Sequence, residues 1–147
     1  MFSPGRCISF HPKILAALGI TLLYWLPAIA TASLIAWLSH QSSLPDLPGP
    51  FEIPDWVAHI LEYGFFELTL VFAITRGFEA STRTMVRVAA SVTIASLYGI
   101  TDEWHQSFTF GRDASVWDWT ADTVGAVLAG SMVIGIWRRM AALQLRV

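Results

Sequence analysis

The sequence predicts an all-α fold, an integral membrane bundle of four helices with both termini on the cytoplasmic side. Three observations carry that expectation. The chain of 147 residues is 54% hydrophobic and only 14% charged, whereas a soluble domain carries about 25% charged residues. Its apolar residues gather in four runs, each close to the roughly 20 residues that cross about 30 Å of hydrocarbon. Its basic residues fall almost entirely on one side of those runs. The mean hydropathy of +0.54 agrees. Residues 1–147 are read as one transmembrane domain with no separate soluble domain.

The first span covers about 14–38, "ILAALGITLLYWLPAIATASLIAWL". Arg6 and Lys13, with Ala28-Ile29-Ala30 behind them, have the outline of a signal peptide. The apolar run continues to Leu38, however, longer than a cleaved h-region, so an uncleaved span is expected. The second span covers about 56–74, "WVAHILEYGFFELTLVFAI", and the third about 85–103. The fourth covers about 116–137, "VWDWTADTVGAVLAGSMVIGIW". The segment Ser39–Pro54 holds four of the seven prolines and reads as a surface loop. Arg76–Thr84 reads as a short polar turn, and Ser107–Ser115 as a loop around Gly111.

Charge assigns the sides. Arg6, Lys13, Arg76, Arg83, Arg87, Arg138, Arg139 and Arg146 all flank the spans on one side, which the positive-inside rule makes cytoplasmic. Of the eleven acidic residues only Glu79 joins them. Arg112 is the sole lysine or arginine on the outer side. No basic stripe of the kind nucleic acid requires is present. The single Cys7 cannot form an internal disulfide, and no zinc-type spacing exists.

The remaining charges lie where charge is expensive, at about 2.5–3.5 kcal/mol per group at a helix centre. Such groups usually face protein or water and pair with each other. At 100° per residue, Asp55, His59, Glu62 and Phe66 share an arc of about 60° on the second span, with Tyr63 beside it. On the fourth, Asp118, Asp122, Gly125 and Ala129 do the same, and the small residues admit a neighbouring helix. Asp102, Glu103, His105 and Gln106 form a polar arc at the end of the third, with Trp104 turned to lipid. These three stripes sit at the outer helix ends and can meet in one pocket. Glu67 stands apart, about 18 Å along the axis from Asp55 and rotated off the main stripe. It either lines a deep part of the cavity or carries a proton. Trp117 and Trp119 read as interfacial belt residues.

At these residues the sequence resembles the VanZ-like family of small membrane proteins, over Asp55 to Gly130. The family's early element, D-K-x-x-H-x-x-x-Y, is matched in "DWVAHILEY" by Asp55, His59 and Tyr63, with Trp56 in place of Lys. The later element, D-E-x-x-Q-x-F followed by G-R, S, D, N or D, and G, is matched by Asp102, Glu103, Gln106, Phe108, Gly111, Arg112, Ser115, Asp118, Asp122 and Gly125. His105 also matches, while Glu67 stands where a small or apolar residue is expected. The resemblance implies an inner-membrane protein of the cell envelope. The family's name comes from a protein linked to low-level teicoplanin resistance.

Two classes of function fit these residues. In the first, an enzyme acts on a lipid-linked or wall-precursor substrate through His59, His105, Asp102, Glu103, Arg112, Asp118 and Asp122. Arg112 would grip a phosphate or carboxylate, and His105 or His59 would serve as general base. Gln106, Tyr63, Asp55 and Glu62 would complete substrate binding. Asp102, Glu103, Asp118 and Asp122 could hold Mg²⁺, or Zn²⁺ with a histidine included. Ser107 and Ser115 are the candidate hydroxyl nucleophiles. In the second class the same pocket binds or carries an anionic envelope component, with Glu67 coupling it to protons. A third reading is a small assembly subunit whose polar network only joins helices.

Overall fold

The computed structural model of the chain describes residues 12–42, 54–77 and 83–144, the side chains of 12–18 and 144 excepted. It contains α1 (Pro12–Ser39), α2 (Asp55–Ile74), α3 (Thr84–Gln106) and α4 (Val116–Gln144), with no strand among the described residues. All four helices are long and apolar enough to cross a membrane, which makes the chain a candidate multi-pass membrane protein. Cys7, Arg6, Asp46, Glu52, Glu79, Arg146 and the Lys13 side chain lie outside the described residues. So do most of the expected proline-rich loop and the middle of the turn after α2.

Helix α2 is central. It packs most extensively on α4, then on α1 and α3; α3 also packs on α4, and α1 does not reach α4. Its buried residues His59, Tyr63, Phe66, Glu67 and Leu70 follow the three-and-four spacing of one helix face. This face differs from the expected stripe. Tyr63 lies at its centre and Glu67 belongs to it, because a helix with three neighbours buries a wider arc than one facing a single partner. Ser91 on α3 donates to Glu67 Oε1 at 2.6 Å, and Gly130 on α4 leaves the space that carboxylate fills.

The α2–α4 contact is made by small residues. Gly125 lies directly against the backbone of Ile60, and Gly64 faces the carbonyl of Gly125. The expected small-residue stripe on α4 therefore is the packing seam. Helix α1 is held differently, by polar ties to α3 made through Tyr98 and Ser39. Tyr98 Oη donates to the carbonyl of Ala32 at 2.7 Å, and Ser39 Oγ donates to Asp102 Oδ2 at 2.8 Å.

Two helices outrun their expected limits. α3 continues past 103 to Gln106, because Gln106 donates back to Asp102 one turn earlier and both side chains are buried. α4 continues past Trp137 to Gln144. The apolar run stops at Trp137, but Arg, Met, Ala, Leu and Gln that follow are strong helix formers. Helix α2 stops where Arg76 and Gly77 take positive φ, and Gly77 N–H donates back to the carbonyl of Phe72.

The antiparallel order brings the C-termini of α1 and α3 together with the N-termini of α2 and α4. That acidic end holds the polar side chains; Arg76, Arg83, Arg87, Arg138 and Arg139 occupy the other end. Trp37, Trp56, Trp104, Phe108, Phe110 and Trp117 are exposed around the acidic end, as residues of a membrane–water interface would be. Trp119 is not among them. It is half-buried between α3 and α4, and its indole donates to the carbonyl of Ser96.

Candidate functional site

The deepest polar group at the acidic end is Asp122, which is fully buried. Its Oδ1 lies 2.8 Å from Nδ1 of His59, itself buried on α2. Asp122 Oδ2 and the hydroxyl of the fully buried Tyr63 have no hydrogen-bond partner. Gly99 on α3 makes the space for them: a Cβ there would stand 3.1 Å from Asp122 Oδ2 and 3.4 Å from the Tyr63 ring.

Glu103 enters from α3. Its Oε2 accepts the backbone N–H of Ser115 at 2.6 Å, while Oε1 is buried without a donor. One ligand atom each from His59, Glu103 and Asp122 lie within 4.8 Å of one another. Asp118, one turn before Asp122 and half-buried, makes a second such group with Asp55 and His59. Asp55 itself is exposed.

Above this centre opens a cleft of about 50 Å³, lined by Asp55, His59, Glu62, Asp102, Gln106 and Arg112 together with the end of α1. That space admits an ion with its waters or one small polar group. Gln106 and Ser39 both bond Asp102 and form the wall. Arg112 Nε donates to the carbonyl of Gln41 at 3.0 Å, which fixes the guanidinium at the mouth. Glu103 also lines an apolar groove of about 210 Å³ between α3 and the start of α4, together with Ile100, Val116 and Trp119.

Most of the expected site residues thus converge: Asp55, His59, Glu62, Tyr63, Asp102, Glu103, Gln106, Arg112, Asp118 and Asp122. His105 does not. It is exposed on the rim, its Nε2 3.3 Å from Nδ1 of His40. Helical angles explain the separation, since Asp102, Glu103 and Gln106 span about 100° and His105 points about 110° from their middle. Ser115 and Ser107 serve the backbone instead of facing the cleft. Ser115 Oγ accepts the N–H of Asp118 as the N-cap of α4, and Ser107 donates to the carbonyl of Trp104. Ser39 was not singled out from the sequence, because a serine ending an apolar run carries no periodic mark. Its one available signal is its position at the helix end beside His40.

A carboxylate-held imidazole can accept or deliver a proton, and the same nitrogen and carboxylate oxygens are donors for a divalent cation. No family model, curated protein or solved structure matches this chain. The fold and the site together define an all-helical chain with four candidate membrane spans and a histidine–carboxylate centre at one end.

Proposed function

We propose that this chain is an inner-membrane protein of the VanZ-like type, its termini cytoplasmic and its acidic end outward. Its pocket binds the anionic headgroup of an envelope lipid or lipid-linked wall precursor and acts on it, with the His59–Asp122 pair as chemical centre. The carrying observation is that this centre contributes His59 to a polar cleft and Glu103 to an apolar groove. An amphiphile fits that arrangement, with its headgroup on Arg112 and its chain along Ile100, Val116 and Trp119. The residues on which the family resemblance rests, Asp55, His59, Tyr63, Asp102, Glu103, Gln106, Asp118 and Asp122, are those this reading places in the pocket. Altered wall precursors would change teicoplanin susceptibility as a consequence.

Mass spectrometry of envelope lipids and lipid-linked precursors tests this in cells expressing wild type or His59→Gln at equal levels. A species made or consumed only with wild type is expected. Identical profiles would remove the catalytic reading.

A second reading, a proton-coupled carrier, is favoured by Glu67, which is wholly buried with one oxygen unpaired. Proton-dependent uptake into proteoliposomes that is lost in Glu67→Gln would select it.

A further inference from the structure

Six carboxylates, those of Asp55, Glu62, Asp102, Glu103, Asp118 and Asp122, line or underlie the cleft, against Arg112 and His59. An anionic headgroup entering it meets a local excess of like charge, which costs binding energy unless a cation intervenes. We infer that His59, Glu103 and Asp122 hold a divalent transition-metal ion that bridges the protein to that headgroup. The inference rests on the reading of this pocket as the headgroup site and supplies what that reading lacks.

Four observations carry it. The three ligand atoms come from three different helices and lie within 4.8 Å of one another. An ion at the centre of such a triangle sits within about 2.8 Å of each, a side-chain adjustment away from metal bonds of about 2.0–2.2 Å. The 2.8 Å between His59 Nδ1 and Asp122 Oδ1 suits two adjacent ligands on one ion as well as it suits a hydrogen bond. Burial then singles out this trio. Asp122 Oδ2 and Glu103 Oε1 are desolvated acceptors with no donor, and an unsatisfied buried polar atom is costly unless something absent from the protein satisfies it. Finally, the hydroxyl of Tyr63, also buried and unpartnered, belongs to a ring that converges with Asp122 Oδ2 on Gly99. It is a further buried polar group that a ligand of the ion would satisfy.

The donor set decides the class of metal. One imidazole with two carboxylates suits Zn²⁺ or Mn²⁺ better than Mg²⁺, which prefers oxygen alone. Three protein ligands also leave coordination positions open, the pattern of sites that bind a substrate. The neighbouring group of Asp55, His59 and Asp118 makes no equal claim, since Asp55 is exposed to solvent and needs no ion to satisfy it.

The test measures metal directly. The full chain, purified in detergent, is stripped with chelator, equilibrated with Zn²⁺ or Mn²⁺, dialysed and analysed by inductively coupled plasma mass spectrometry. Thermal unfolding is followed in parallel. About one ion per chain and a raised Tm are expected for wild type. Glu103→Gln and Asp122→Asn, both near-isosteric, are expected to bind at least about tenfold more weakly and to lose the metal-dependent rise in Tm. Absence of metal from folded wild type overturns the inference. So does equal binding by both variants, or loss of the ion only in the His40→Ala, His105→Ala double variant, which would place it on the rim. Retained metal with unchanged envelope lipids would leave the ion and remove the catalytic reading of the pocket. Changed lipids without bound metal would do the reverse.

Discussion

Gly125 and Ile60 touch backbone to backbone: a Cβ on Gly125 would meet the Ile60 carbonyl oxygen and stand 2.9 Å from its Cα. Backbone cannot rotate away as a side chain can. Gly125→Ala must therefore separate α2 from α4 along the seam that carries His59 and Asp122. Overpacking costs about 1–3 kcal/mol, and the upper end is expected here. Detergent thermal melts followed by circular dichroism should give a clear loss of Tm. An unchanged Tm would mean that the two helices do not cross at this point.

Asp122 and His59 depend on each other. Removing one partner of a buried pair costs about 3–5 kcal/mol, because the other is left uncompensated. Asp122→Ala and His59→Ala should each destabilise the protein strongly, and the double variant should cost less than their sum. A coupling of about 0.5–3 kcal/mol is expected from the cycle. Strict additivity would mean the 2.8 Å contact contributes nothing.

Helix α1 should come loose before the others, since its polar attachment to α3 rests on Ser39 and Tyr98. Tyr98→Phe removes a bond to a carbonyl and should cost about 1 kcal/mol; Ser39→Ala removes one to a carboxylate and should cost about 1.5–3 kcal/mol. Hydrogen exchange should rise in α1 in both variants while α4 stays protected. Uniform exchange across all four helices would contradict the arrangement.

In the middle of the bundle, Ser91 donates a hydrogen bond to Glu67 Oε1, and Oε2 has none. Ser91→Ala leaves both oxygens buried without a donor and should cost about 1–3 kcal/mol. Glu67→Gln keeps an acceptor for Ser91 and should cost less. Equilibrium unfolding in mixed micelles ranks the two, and the opposite order would show that Glu67 finds another partner.

The helices were legible because each apolar run is about one bilayer long, and the ends were legible because charge is so unevenly divided. Periodicity also foretold that Asp118, Asp122 and Gly125 share an inward face. It failed where one face meets several neighbours, as with Tyr63 and Glu67, whose burial depends on where α3 and α4 stand. It grouped His105 with Asp102 although the two point to different surroundings. Ser39 was beyond its reach, since only the fold brings a helix-ending serine to a carboxylate 63 residues away.

That interval recurs. Ser39 and Asp102 are 63 residues apart, and so are His59 and Asp122. On a ribosome adding about 5–20 residues per second, each early partner waits roughly 3–13 s for its mate to be made. During that wait the hydroxyl and the imidazole depend on water, headgroups or the insertion machinery. The centre is completed only when α4 arrives, so a shortened or stalled chain has no partial version of it.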